Sequence, residues 1–145
     1  MNTKFSPVVK VRKQALDKIE TSLAAARATR EALQTSLELL REKMLNEKFP
    51  KSGGAQLIQL ALASHNLLVE HKQELTDRLA LNAAQIKSLE REYKTAYVEL
   101  EKMRHLENEE IKKALKKIKS EEAKALDEIA TQRFFAQSSA LKGEI

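Results

Sequence analysis

Phe49-Pro50-Lys51-Ser52-Gly53-Gly54-Ala55 is the stretch that decides the fold of this chain. The protein has 145 residues, three glycines and two prolines. Two of those glycines and one of those prolines lie within these seven residues. Gly and Pro end helices and mark turns. No other breaker occurs between Pro7 and the third glycine, Gly143. The chain therefore reads as two long helical segments joined by one turn.

Outward from the turn, both segments carry a heptad pattern. Ser6-Pro7 marks a helix start, since Ser can cap free N–H groups and Pro is tolerated in the first turn. On the first segment one row is Val9, Leu16, Leu23, Arg30, Leu37 and Met44, and the other is Arg12, Ile19, Ala26, Leu33 and Leu40. Apolar residues alternating at spacings of three and four mark a coiled-coil face. After the turn the rows are Ile58, His65, Lys72, Leu79, Ile86, Tyr93, Leu100 and Ala61, Leu68, Leu75, Asn82, Leu89, Ala96, Met103. The pattern predicts helix 1 over about 6–48, a turn at 49–54 and helix 2 over about 55–138, with a softer spot at 64–66.

Two adjacent seams bury their apolar faces most simply by folding onto each other. The fold class is all-α: two long helices forming an antiparallel coiled-coil hairpin, the second longer and overhanging the first. A register in which paired residue numbers sum to 105 layers Leu37 with Leu68, Arg30 with Leu75 and Ile19 with Ile86. Its midpoint falls between Ser52 and Gly53. At about 1.5 Å per residue the helices would be roughly 65 and 125 Å long. Past Met103 the first helix runs out. A further stripe, Ile111, Leu115, Ile118, Glu122, Leu126, Ile129 and Phe134, is then expected to be uncovered. An exposed repeated apolar face calls for a partner, or for self-association through 111–134.

Composition narrows the function. Charged residues make up 32%, aromatics 4%, and Trp and Cys are absent, so disulfide and thiolate chemistry are excluded. No apolar run is long enough for a membrane span, and the opening residues do not read as a signal peptide, so a cytoplasmic location is expected. The net charge is +5, concentrated in residues 1–50, which hold ten Lys/Arg against six Asp/Glu. A second basic run, Lys112, Lys113, Lys116, Lys117 and Lys119, lies within the uncovered stripe. It reads either as a solvated face or as a dock for an acidic protein surface. RNA is a further alternative, but the run lacks interleaved aromatics and acidic neighbours weaken its field.

Catalytic chemistry finds no footing. His65, His71 and His105 make no i, i+4 metal-binding pair, and His105 with Glu109 reads as an exposed helix-face pair. The turn has no phosphate-loop frame. The many carboxylates sit within reach of Lys or Arg four residues away and in no pocket that would shift their titration. The expectation is a non-enzyme without cofactor or metal.

The two ends of the chain carry a resemblance. The opening "KFSPVVKVRKQALDK" and the closing "EEAKALDEIATQRF", with Asp127, Glu128, Ala130 and Arg133, resemble the ends of the flagellar export protein FliJ family. The length, the lack of Cys and the two-helix coiled coil with an early break are similar too. "MNTKF" and the "FPKSGG" loop look most like epsilonproteobacterial members. The resemblance implies a stalk component of the flagellar type III export apparatus, similar in shape to the γ stalk of rotary ATPases, at the cytoplasmic face of the inner membrane. The partners it implies are the export ATPase FliI and its regulator FliH, the gate protein FlhA and export chaperones, with no nucleic acid. By the same resemblance, the gate would be met near the turn, by Leu37, Leu40, Met44, Leu60, His65 and Leu68. The ATPase ring would be met by Lys10, Arg12, Lys13, Lys112, Lys113, Lys116 and Lys117, with the apolar Ile111, Leu115, Ile118, Leu126 and Ile129. The other readings, a homo-oligomeric coiled-coil scaffold and an RNA-binding hairpin, stay open at this point.

Overall fold

A computed structural model describes residues 1–143 and consists of two helices, α1 (Ser6–Leu45, 40 residues) and α2 (Ala55–Gly143, 89 residues). Within it, residues Arg12–Val98 form one compact unit, and Met1–Val11 with the chain from Glu99 onward form another.

In the first of these units α1 and α2 run antiparallel and bury one stripe each. Leu37, Leu40 and Leu75 form a buried cluster, with Leu33, Met44, Leu68 and Leu79 against it. Leu23, Ala26 and Ile86 form a second, with Leu89 against it. The seam is the one the heptads predict, but the register is not. Glu47 meets His65 across the pair, Leu37 clusters with Leu75, and Ala26 clusters with Ile86. These partners sum to 112, one heptad beyond the expected 105.

Polar layers explain the difference. In the expected register Arg30 would face Leu75 and Asn82 would face Leu23, each against an apolar partner. In the observed one Arg30 and Asn82 share a layer, and Glu47 pairs with His65. Burying a polar group costs free energy unless it is hydrogen-bonded, so gathering the polar seam residues is favoured. Asn82 is 6% exposed and its Nδ2 donates to the Ala26 carbonyl at 3.0 Å.

The turn is correspondingly asymmetric. α1 stops at Leu45 rather than near 48, and residues 46–50 run back along the first turns of α2. The His65 imidazole donates from Nδ1 to Glu47 Oε2 at 2.7 Å, and the Phe49 ring lies 5.6 Å from it, centre to centre. Gly53 has φ +143°, and a Cβ there would stand 2.8 Å from Leu57 Cδ2, so this position needs glycine. Helix α2 then starts at Ala55 with Leu57 and Ile58 donating to the Gly54 carbonyl. It is unbroken through 64–66, where a softer spot was expected. Ile58, expected in the seam, is 45% exposed because no part of α1 extends far enough to cover it.

In the second unit, Thr3 rather than Ser6 caps α1. The Phe5 N–H donates to Thr3 Oγ1 at 3.1 Å and the Thr3 N–H donates to Ser6 Oγ at 2.9 Å, a reciprocal box. The Ser6 hydroxyl also donates to Glu107 Oε1 at 2.9 Å. Leu100 is 1% exposed and anchors this unit's core.

Candidate protein-docking surfaces

The residues expected to dock near the turn divide by burial. Leu37 and Leu40 are core, at 7% and 6% exposure, and Met44 and Leu68 pack half-buried against them. Their side chains are spent on holding the helices together. His65 is half-buried and engaged with Glu47. Leu60 alone of the six presents a free apolar side chain, 68% exposed.

It does not stand alone. Leu57, Ile58, Leu62 and Leu67 are also exposed around the start of α2. No Asp, Glu, Lys or Arg occurs from Ser52 to Val69, in a chain that is otherwise one-third charged. A groove forms here, with Lys48, Phe49 and Pro50 from the chain before the turn and Leu57, Leu60, Ala61 and Ser64 from α2. A seam reading misses this surface, because it looks for one apolar stripe. The signal available was the reverse, an uncharged run apolar on every side of the helix.

In the unit containing the second half of α2, the expected lysines are exposed: Lys112, Lys113, Lys116 and Lys117, together with Lys10. Arg12 and Lys13, in the other unit, are exposed as well. Of the stripe, Leu115, Ile118, Leu126 and Ile129 are 49%, 42%, 67% and 47% exposed. Ile111 departs from expectation and is half-buried. Residues Met1–Lys4 extend over this turn, lining a depression with Glu110, Lys113, Ala114 and Lys117, and Lys4 Nζ lies 3.9 Å from Glu110. Phe134 also leaves the stripe. Five residues after Ile129, it points about 140° around the helix, where its ring meets Phe135 edge-on at 6.1 Å.

No group of three His, Cys, Asp or Glu able to hold a metal occurs among the described residues. The titration of Tyr93 is displaced. Desolvation, and then Glu20, whose carboxylate both repels the phenolate and accepts the phenol's hydrogen bond at 3.3 Å, push its phenol above the usual range. Tyr97, stacked on the Tyr93 ring at 6.3 Å between centres, adds a smaller upward push, and the contact lies on the flank of the helix pair. No described helix is long and apolar enough to cross a membrane. What the molecule offers is surface: an apolar patch beside the turn with Lys48 at its edge, and an exposed apolar stripe edged with lysines on the second half of α2.

A family model described as "Flagellar FliJ protein" matches residues 1–139. No curated protein and no solved structure matches the chain.

Proposed function

Because the chain belongs to the flagellar FliJ family, we propose that it is a non-enzymatic component of the flagellar type III export apparatus. In this reading it is a helical stalk that binds the export ATPase FliI, touches the export gate FlhA and handles export chaperones, with the regulator FliH nearby. It is peripheral at the cytoplasmic face of the inner membrane. The observation that carries the reading is the exposed stripe Leu115–Ile129 with its lysines, which pairs apolar area with positive charge on one helix, with residues Met1–Lys4 reaching only its first turns, at Lys113 and Lys117. Lysines at such a contact would govern association rate and orientation and would be screened by salt.

The turn-side patch supports a second contact, for the gate. Its usable residues are Leu57, Leu60 and Leu67 rather than Leu37 and Leu40, whose exposure would require opening the hairpin.

The test is ATPase activity of the cognate export ATPase with and without the full chain, with pull-down at low salt. Stimulation is expected, and so is weakened binding when Lys112, Lys113, Lys116 and Lys117 are changed to Glu. No stimulation together with no capture would sink the export reading. A stable dimer in dilute solution, dissociated by Ile118→Asp, would favour the homo-oligomeric scaffold, since the same exposed stripe could be covered by a second copy.

A further inference from the structure

The segment 111–124 has a feature that a docking stripe does not require. Between Glu110 and Glu121 it contains no acidic residue, and its five cations there are Lys112, Lys113, Lys116, Lys117 and Lys119, followed by Lys124. At about 100° per residue all six fall within roughly 160° of the helix circumference, and Ile111, Ala114, Leu115 and Ile118 occupy the other side. The lysines are exposed, and Leu115 and Ile118 lie open beside them. Over 111–120 the helix surface is thus divided lengthwise into a basic half and an apolar half, with Glu109 pairing Lys112 at 3.7 Å at the edge of the basic one.

The kind of cation points to the kind of partner. Protein interfaces favour Arg and aromatic anchors and are depleted in Lys. This segment has no Arg and no aromatic residue. Lysine is a flexible point charge that does not impose the planar fork geometry of Arg. Its long stem lies along apolar surface while its head stays in water. Clustered lysines flanking a short apolar strip suit a diffuse layer of negative headgroups better than a shaped acceptor. Glu122 falls within the apolar strip and limits it to about two turns, so insertion is shallow and charge carries most of the binding.

We propose that this face, Lys112 to Lys124 with Leu115 and Ile118, docks reversibly on an anionic lipid bilayer surface. The inference deepens the membrane-peripheral placement proposed above, and it stands on the helix face itself. The same lysines cannot serve a lipid surface and an ATPase ring at once, so the two contacts exclude each other.

The experiment is co-sedimentation of the full chain with phosphatidylcholine vesicles, with and without phosphatidylglycerol. Binding to the anionic vesicles is expected to exceed binding to the neutral ones by at least about tenfold and to be lost by about 0.5 M salt. A Lys112→Glu, Lys116→Glu, Lys119→Glu variant should lose it, with helicity by circular dichroism unchanged. A control with the same change in net charge, Lys43→Glu, Lys87→Glu, Lys94→Glu, should keep most of it. Leu115→Asn with Ile118→Asn should reduce binding several-fold without abolishing it. Equal binding to both vesicle types overturns the proposal, and so does equal loss in the control. No vesicle binding, with or without capture of unrelated RNA at physiological salt, overturns it as well. No export protein is present, so failure here leaves the ATPase result standing, and the reverse holds.

Discussion

Asn82 reaches across the helix pair to the Ala26 carbonyl, donating from Nδ2 at 3.0 Å, while its buried Oδ1 meets no protein partner. A small residue at 26 makes this approach feasible. A polar residue at one seam position specifies register at a cost in stability.

Replacing Asn82 with Leu should therefore raise stability by about 1 kcal/mol, because an unsatisfied buried acceptor is removed. It should also loosen the register. Spin labels placed on exposed flanks of α1 and α2 should report one distance in the parent chain and a second, one heptad displaced, in the variant. A destabilised variant holding the single parent distance would refute the role in register.

Burial follows the seam: a leucine on a seam row is covered and one off both rows is not. Leu75 is 3% exposed and Leu60 is 68% exposed. Leu75→Ala should cost about 2–5 kcal/mol in chemical denaturation, from lost transfer energy and the cavity left behind. Leu60→Ala should change stability by less than about 0.5 kcal/mol. If Leu60 docks a partner, that loss should appear in binding instead.

The turn makes a paired prediction. Gly53→Ala meets both a disfavoured φ of +143° and Leu57 Cδ2 at 2.8 Å, whereas a Cβ on Gly54 has nothing within 4 Å. Gly53→Ala should destabilise by about 1 kcal/mol or more, and Gly54→Ala should be close to neutral. Thermal melts of both variants decide the matter, and equal effects would contradict this turn geometry.

The raised titration of Tyr93 has a definite sign. The folded chain holds the phenol proton more tightly than the unfolded chain, whose value is near 10.0. The stabilisation is fully present below pH 10 and is lost as pH rises from there through the raised folded value. In a Tyr97→Phe background, which isolates the signal of Tyr93 and removes the smallest of the causes, ultraviolet titration should still find its midpoint above the unfolded one, because burial and Glu20 remain. Glu20→Gln should bring it down, since it removes both the repulsion and the charged acceptor. An unmoved midpoint would mean that Glu20 has no influence on this phenol.

The lysine face and most of the stripe on α2 could be read directly, because a regular helix converts spacing into direction without reference to any other part of the chain. Phe134 was lost from the stripe by the same arithmetic, and Ile111 is half-buried rather than open. The turn-side surface was harder to read. Leu37 and Leu68 lie on seam rows and Leu60 lies off them, so spacing separates covered from exposed, but it does not say that the exposed leucines gather beside the turn into one surface. The leucines around Leu60 are exposed because they lie off the seam rows, as Leu81 does, and Ile58, which is on a row, joins them because α1 ends at Leu45.

The amino-acid sequence by itself determined two helices, their break at Phe49–Gly54 and the seam along each, since these follow from local backbone preference and from side-chain periodicity. Tertiary structure alone decided the register. Sliding one seam past the other by a heptad returns apolar residues to apolar layers, so registers seven residues apart differ little in burial. The choice falls to a few polar contacts: Asn82 with Ala26, its layer shared with Arg30, and Glu47 with His65. These exist only when both helices are in place.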